Sequence, residues 1–487
     1  MRPAYSVEAT RAADRLAQQT TSEAVLIDRA SAAVARRGAA LLGTVYGARV
    51  VVLAGSGHNG ADALWAGVKL RDRGAQVDVV VAADPKDEHG AEPLRRLRGL
   101  GARDVGGAAV GAADLVVDGL VGVGFTGSLR QADLAEAAGT ARAVLAVDVP
   151  SGVDADTGAV AGAAVRADVT VTFGGLKPGL LLDPGAEYAG VVEVADIGLA
   201  DLLAEPVAEV LDADDVHGAM LEPPRESSKY TRGVVGVVAG GDRYTGAAVL
   251  ACGGAVRAGA GMVYLFSSPG AVDVVRAAWP EVVAFADPDP ARISDNDKVG
   301  AWVVGPGLGT DDRALGLVRA VLASDRPAVV DADAITLAAH EPALLQRAAP
   351  TVVTPHLREF ERLTGVGKEA SGSDRLGTAR RAAGELAVTV LLKGTTTVVA
   401  GPDGSAYINP TGTPWLGTAG TGDVLAGAVG ALLAGGLGAP EAAAVASWLH
   451  GLAGRLAADA GGDPEGAPIS AGDLLTTWPA AVRATRS

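Results

Sequence analysis

Short, continuous runs of apolar and β-branched residues alternate along this chain with alanine-rich segments of helical length. Because these runs lack polar alternation, both faces of each strand must be buried, which is typical of a parallel sheet covered by helices. We therefore predict an α/β protein. The predicted strands of the first half are Arg49–Ala54, Val77–Ala82, Leu115–Asp118, Val144–Asp148, Val169–Phe173 and Val191–Val194.

The same pattern restarts in the second half. Its predicted strands are Val234–Ala239, Met262–Phe266, Ala301–Val304, Ala328–Val330, Thr351–Thr354, Val388–Leu392 and Thr397–Ala400. The two halves are not copies of each other, and 487 residues exceed one ordinary domain. We predict two fused α/β domains, residues 1–212 and 213–487.

Composition excludes several classes of function. The net charge of −16 comes without any basic block, so we expect no nucleic-acid partner. A single cysteine, Cys252, rules out an intrachain disulfide and a cysteine metal cage. A phosphate-bearing small molecule remains possible, because helix N-termini bind anions through backbone N–H groups.

Neither a secretory signal nor a membrane span is expected. Charged residues such as Glu8 and Arg11 occur close to the start, and the longest uncharged apolar stretch, Val424–Pro440, is short and glycine-rich. We expect no membrane association and a cytoplasmic location.

A glycine turn follows the first predicted strand. Gly55, Gly57 and Gly60 satisfy the pattern GxGxxG between a strand and a helix, where glycine allows a pyrophosphate to approach the backbone closely. The pattern alone is weak. It also fits a tight turn without a ligand, or a nicotinamide dehydrogenase with Asp84 on a ribose hydroxyl.

Polar residues follow other strands of the first domain. Because the carboxyl ends of parallel strands meet at one crevice, Asn59, Asp62, Asp118, Asp148 and Ser151 can converge there. Oxygen ligands with few carboxylates favour a hard, monovalent cation. Each aspartate could instead cap a helix.

The most informative string of the second domain runs from Thr418 to Asp423. A glycine-rich turn there feeds a long helix of small residues, whose N–H groups form an anion hole. Asp423 in the first turn could simply cap the helix. In the functional interpretation it takes a proton from a hydroxyl that attacks a nucleotide's terminal phosphate.

Other motifs of this domain also stand at strand exits, so one crevice can collect them. They are Gly240–Gly246, Arg257–Gly261, Gly305–Gly309, Asp331 with Asp333, Thr354–His356 with Glu359, and Lys393 with Gly394.

The motifs of the first domain resemble the NAD(P)H-hydrate epimerase family, which has a Rossmann-like three-layer fold. The resemblance implies a potassium ion held by Asn59, Asp118 and Ser151, and Asp148 as the general acid–base group. It implies that the hydrated nucleotide is bound by His58, Asn59, Gly60, Ala61, Asp62, Gly122, Val123, Gly124, Phe125, Thr126, Gly127, Ser128 and Asp148. His58 and Ala61 depart from the family's usual Asn-Asn-Gly-Gly-Asp.

The second domain resembles the ribokinase-like fold, and more closely the ADP- or ATP-dependent NAD(P)H-hydrate dehydratases. The resemblance implies contacts to the hydrated nucleotide from Ala247, Gly309, His356 and Asp423. It implies that the adenylate is held by Lys393, Gly394, Thr395, Thr396, Thr397 and Gly422. Leu357, Arg358 and Ala419 depart from the family motifs, but no polar group is lost that the chemistry needs.

Together the two resemblances imply a bifunctional repair enzyme. It would interconvert the R and S epimers of NAD(P)HX and return the S epimer to NAD(P)H at the expense of ADP or ATP, with Mg²⁺ accompanying the nucleotide and with self-association. The alternative is a ribokinase-like kinase for a vitamin precursor, whose first domain is a non-catalytic binding module.

Overall fold

The computed structural model describes residues 1–220, 225–294, 296–459 and 466–486. The chain divides into two compact units between Ala208 and Glu209, close to the boundary predicted after residue 212. Each predicted strand is present, with ends that agree to about one residue.

The first unit is built around a six-stranded parallel sheet. The strands of the unit are β1 (Arg2–Ala4), β2 (Arg49–Ala54), β3 (Gln76–Val81), β4 (Leu115–Gly119), β5 (Val144–Val147), β6 (Val169–Phe173) and β7 (Val191–Ala195). Strands β2 to β7 form the sheet, in the order β3-β2-β4-β5-β6-β7. Its helices are α1 (Val7–Ala17), α2 (Glu23–Leu42), α3 (His58–Asp72), α4 (Glu88–Gly99), α5 (Gly107–Gly111), α6 (Ala132–Ala138) and α7 (Gly185–Ala189).

Alternate residues of β2 enter two separate apolar layers. Val50 and Val52 pack with Leu64 of α3, whereas Val51 and Leu53 pack with Leu134 of α6. Helices therefore cover both faces of the sheet, and the expected Rossmann-like three-layer fold is confirmed.

The second unit contains a larger sheet in the order β8-β17-β16-β15-β14-β13-β12-β9-β10-β11. The strands are β8 (Ala208–Val210), β9 (Val234–Val238), β10 (Met262–Ser267), β11 (Val283–Ala286), β12 (Ala301–Val304), β13 (Ala328–Val330), β14 (Thr351–Val353), β15 (Thr389–Leu392), β16 (Thr397–Ala400) and β17 (Ala406–Asn409). The helices are α8 (Ala213–Ala219), α9 (Thr245–Arg257), α10 (Pro269–Ala278), α11 (Pro290–Ser294), α12 (Asp312–Ala323), α13 (Asp333–His340), α14 (Leu357–Thr364), α15 (Lys368–Ser373), α16 (Arg375–Leu386), α17 (Thr421–Ala434), α18 (Ala439–Ala458) and α19 (Ala471–Ala484).

Strands β9 to β15 are parallel to one another, whereas β16 is antiparallel to both β15 and β17. Small residues on two central helices allow their backbones to touch. A Cβ on Gly254 of α9 would overlap the Val424 carbonyl, and one on Gly427 of α17 would overlap the Ala251 carbonyl. This close packing fixes the position of the α17 N-terminus.

Candidate active sites

The strand order of the first sheet reverses between β2 and β4: β3 lies on one side of this pair, and β5 to β7 lie on the other. In open α/β sheets the carboxyl ends of strands at such a point bound the ligand crevice. A cavity of about 790 Å³ lies here, lined by residues that follow β2, β4 and β5 and by residues of α1.

In the turn after β2, steric overlap requires glycine at two of the three glycine positions. A Cβ on Gly60 would overlap the Gly55 carbonyl oxygen, and a Cβ on Gly55 would overlap the Leu120 carbonyl oxygen. Gly57, which precedes α3, has open space where a Cβ would stand. The first N–H groups of α3 have no intrahelical acceptor, so this end of the helix can receive an anion.

The residues predicted to hold a cation come together. The buried carboxylate of Asp118 accepts hydrogen bonds from the Ser151 backbone N–H at 2.8 Å and from Ser151 Oγ at 2.7 Å. Asn59 Nδ2 donates to the carbonyls of Val121 and Val147 at 2.7 and 2.9 Å. Burial raises the pKa of Asp118, and within the described ranges no Lys or Arg forms a salt bridge with it.

The sequence predicts Asp148 as the last residue of β5, but Asp148 follows that strand, because its φ of 64° takes the chain out of the extended conformation. Its Oδ1 accepts hydrogen bonds from Thr172 Oγ1 at 2.8 Å, the Phe173 N–H at 3.1 Å and Lys177 Nζ at 2.7 Å. Lys177 is fully buried. The sequence interpretation missed both Thr172 and Lys177.

Asp62 is buried at the same cavity. Its Oδ1 has no hydrogen-bond partner among the described residues. Burial raises its pKa well above the ordinary value, and the charges of Asp148 and Asp14 raise it further. This shift favours the protonated carboxyl, which is the form that can donate a hydrogen bond to a ligand.

Most of the predicted substrate residues line the cavity. They are His58, Asn59, Gly60, Asp62, Gly122, Val123, Gly124, Phe125 and Asp148. Four others are not among its lining residues: Ala61, which is buried in α3, and Thr126, Gly127 and Ser128. Ser128 Oγ instead donates to the Ala161 carbonyl at 2.8 Å. His58 lies at the rim, with Nε2 3.2 Å from Glu23 Oε1.

In the second unit, Asp423 lies in the first turn of α17, after Gly420 with a φ of 90°. Burial, followed by the charge of Asp331, raises the Asp423 pKa to about 7, although Lys393 opposes the shift. Behind this turn, His450 Nε2 lies 2.9 Å from the Thr421 carbonyl, and burial lowers the His450 pKa to about 4. The sequence interpretation assigned no role to His450.

Lys393 lies between two carboxylates near the strand exits of this unit. Its ammonium lies 2.9 Å from Asp331 Oδ1 and 3.8 Å from Glu359 Oε2, and Asp331 also accepts from Thr354 Oγ1 at 2.6 Å. Burial works to lower the Lys393 pKa, but the charges of Asp331 and Glu359 outweigh it and the pKa is raised. A Cβ on Gly422 would lie 3.2 Å from Lys393 Nζ, so the ammonium stands beside the α17 N-terminus.

The remaining predicted residues of this unit occupy different positions around these exits. A Cβ on Gly307 would meet the Ala247 side chain, and the Gly309 N–H donates to Asp333 Oδ2 at 2.8 Å. The His356 side chain caps α14 by accepting backbone hydrogen bonds from Arg358 and Glu359.

Of the predicted adenylate residues, Gly394 and Thr395 are exposed, whereas Thr396 and Thr397 are buried. Arg375, which is also buried, donates to the Lys393 carbonyl at 2.5 Å and so supports this turn from behind.

Comparison with known proteins identifies both units. Residues 235–471 match the family model described as NAD(P)H-hydrate dehydratase, and residues 23–179 match the model described as YjeF-related protein N-terminus. The chain is 45% identical over 487 residues to a bifunctional NAD(P)H-hydrate repair enzyme of Mycobacterium leprae, with 98% of each chain covered. The chain belongs to this family.

Solved structures agree for the second unit. The ADP/ATP-dependent NAD(P)H-hydrate dehydratase of Bacillus subtilis is 30% identical, with a TM-score of 0.51, and the match covers 57% of this chain and 99% of that one. A ribokinase-like protein of Enterococcus faecalis, 24% identical with a TM-score of 0.52 over 58% of this chain and 98% of that one, shows the same fold.

The protein is thus a bifunctional enzyme of NAD(P)H-hydrate repair, with an epimerase domain followed by a dehydratase domain. The alternative of a vitamin-precursor kinase with a non-catalytic first domain is not favoured. Among the described helices, none combines the length and apolar character needed to cross a membrane.

Proposed function

We propose that Asp423 is the general base of the dehydratase domain. It takes the proton of the ring hydroxyl of S-NAD(P)HX while that oxygen forms a bond to the terminal phosphorus of ADP or ATP and the bond from this phosphorus to the departing AMP or ADP breaks. The observation that carries this assignment is the position of a carboxylate with a pKa of about 7 in the first turn of α17. A base with such a pKa is poised to accept a proton near neutral pH.

Phosphorylation turns the hydroxyl into a good leaving group. The ring nitrogen lone pair assists departure of the phosphate, which carries the ring oxygen away, and loss of a proton from the neighbouring carbon restores NAD(P)H. Ala247, Gly309 and His356 stand at strand exits of the same domain, and we assign them to the hydrated nucleotide.

We assign Lys393, Gly394, Thr395, Thr396, Thr397 and Gly422 to the nucleotide that donates the phosphoryl group. The Lys393 ammonium beside Gly422 supports this, because a cation and free N–H groups at a helix start together stabilise a moving phosphoryl group.

The Bacillus relative was co-crystallised with ATP and Mg²⁺. Asp333 and Glu359 offer the oxygen ligands that Mg²⁺ prefers. Within the described part of the chain, no group of three or more His, Cys, Asp or Glu side chains could hold a metal ion alone. This fits an ion held mainly by nucleotide phosphates, where it would neutralise developing charge.

In the epimerase domain, we propose that Asp148 is the general acid–base group that moves a proton near the hydroxylated ring carbon during exchange of the R and S epimers. Its carboxylate lines the cavity and is fixed by Lys177, Thr172 and the Phe173 N–H. We assign Lys177 as a positioning residue, because its ammonium is fully buried behind Asp148.

We further propose that Asn59, Asp118 and Ser151 hold a potassium ion. The buried Asp118 carboxylate without a described cationic partner fits this role, since a bound cation would offset the cost of burying its charge. The oxygen donors and single carboxylate suit a monovalent ion. The loop that follows β4, residues 120–128, is called the substrate loop. A potassium ion would supply positive charge to this loop at Val121, whose carbonyl accepts from Asn59 and whose N–H donates to Ser151 Oγ.

We also propose that the two domains span residues 1–212 and 213–487, that the chain self-associates, and that it is located in the cytoplasm. Size-exclusion chromatography coupled to light scattering tests self-association, which a monomeric mass would contradict.

The proposed function is tested by incubating the purified chain with mixed NADHX epimers and either ADP or ATP, with and without potassium. We expect both epimers to be consumed with potassium, and the R epimer to remain without it, reacting only at its spontaneous rate. Formation of a stable phosphorylated product instead of NADH would contradict the dehydratase assignment.

A further inference from the structure

The helix α1 contributes side chains to the epimerase cavity, although it precedes residue 23, where the matched family model begins. Its start is fixed to the domain. The Val7 N–H donates to Asp156 Oδ1 at 2.7 Å, and the Tyr5 N–H donates to the Leu176 carbonyl at 2.8 Å. The apolar side of α1 is buried through Val7, Ala13 and Ala17. Side chains on its cavity side are therefore carried by a rigid element.

Arg11 of α1 reaches the substrate loop. A Cβ on Gly124 would overlap Arg11 Nη2, so the guanidinium lies against this loop. In the described ranges, no hydrogen bond or salt bridge joins the Arg11 guanidinium to another residue, so its N–H groups are available to a ligand. Arginine carries five N–H donors in a planar arrangement that matches phosphate oxygens.

A second cation, Lys86, lies in the loop between β3 and α4. The Lys86 N–H donates to the Ser56 carbonyl at 3.1 Å, which places Lys86 beside the glycine turn, and Lys86 lines the same cavity. Arg15 also lines the cavity, and the remaining charged groups are the carboxylates of Asp14, Glu23, Asp87 and Asp148. A substrate with a diphosphate would be repelled by these groups unless cations met its charge.

We propose that Arg11, from α1, and Lys86, from the loop between β3 and α4, bind the diphosphate of the hydrated dinucleotide. The inference rests on the proposed epimerase function of this cavity and adds two residues that select for a diphosphate-bearing substrate. Because these contacts are made to a part of the substrate that does not react, they contribute equally before and during the reaction and act on KM rather than kcat.

The test compares Arg11→Gln and Lys86→Gln with Arg142→Gln in the full chain. Arg142 is exposed before β5, at the opposite end of the sheet. Exchange of R- and S-NADHX and of the hydrated reduced nicotinamide riboside, which lacks phosphate, is followed chromatographically. ADP-dependent dehydration of S-NADHX by the other domain reports that the chain is intact.

For NADHX we expect KM to rise about 10-fold in Arg11→Gln and in Lys86→Gln, as loss of a charged hydrogen bond predicts, with kcat changed less than about 2-fold. For the riboside we expect kcat/KM to match the wild type. An unchanged KM for NADHX, a loss confined to kcat, or an equal loss for both substrates would overturn the proposal. Absence of exchange in the wild type and in Arg142→Gln would instead refute the epimerase assignment itself.

Discussion

The Asp148 carboxylate and the Lys177 ammonium lie 2.7 Å apart, and the Lys177 side chain has no exposed surface. Lys177 also donates to Thr172 Oγ1 and to the Phe173 carbonyl, both at 2.8 Å, so three oxygens surround its nitrogen. A buried ammonium is tolerated only when its charge and donors are met in this way. The pair therefore fixes the orientation of the carboxylate that we assign to proton transfer.

Replacing Lys177 by Met should abolish epimer exchange and destabilise the first unit. Because Asp148 would be left without its buried cation, we expect the free energy of unfolding to fall by about 3–5 kcal/mol. Denaturant unfolding of the first unit measures this. The control is Lys69→Met, which removes a more exposed pair with Asp28 at 2.5 Å and should cost at most about 1 kcal/mol. Equal losses in the two variants would contradict the assigned role.

The dehydratase rate should depend on the ionisation of Asp423. Because a base must be deprotonated, kcat/KM for S-NADHX should rise with pH through a midpoint near 7, the pKa of Asp423. The charge of Asp333 contributes to raising this pKa. The variant Asp333→Asn keeps an acceptor for the Gly309 N–H but removes the charge, so it should move the midpoint to lower pH. A midpoint that stays in place or moves upward would show that another group controls the profile.

Potassium should stabilise the first unit even without substrate. An ion that binds only the folded state raises the unfolding temperature as its concentration increases. We expect this increase with KCl relative to N-methylglucamine chloride at the same ionic strength. It should disappear in Asp118→Asn, which removes the buried charge and keeps an amide of the same shape. A response to potassium that is undiminished in this variant would exclude Asp118 as a ligand.

The strands and their exits could be predicted from the sequence because buried parallel strands are continuous apolar runs bounded by glycine turns. The same reasoning brought Asn59, Asp118 and Ser151 together, since all lie at the carboxyl ends of adjacent parallel strands. The antiparallel direction of β16 was not accessible, because an apolar run carries no information about the direction of its neighbour.

Lys177 could not be found in the same way. A lysine that follows a strand is normally solvated, and nothing in the local sequence indicates that its side chain is fully buried. Its position depends on Asp148, which lies 29 residues earlier in the sequence and follows another strand. Partners across a fold, unlike strand exits, leave no local pattern.

One substitution in each domain separates the two activities. Asp148→Asn and Asp423→Asn are incubated with mixed NADHX epimers, ADP and potassium, and both epimers and NADH are followed over time. Asparagine suits position 148 because it tolerates the positive φ found there. We expect Asp148→Asn to consume the S epimer and to leave the R epimer to react only at its spontaneous rate. We expect Asp423→Asn to exchange the epimers but to form no NADH. Wild-type consumption of the R epimer in Asp148→Asn, or ADP-dependent NADH formation in Asp423→Asn, would contradict the assigned roles of these two aspartates.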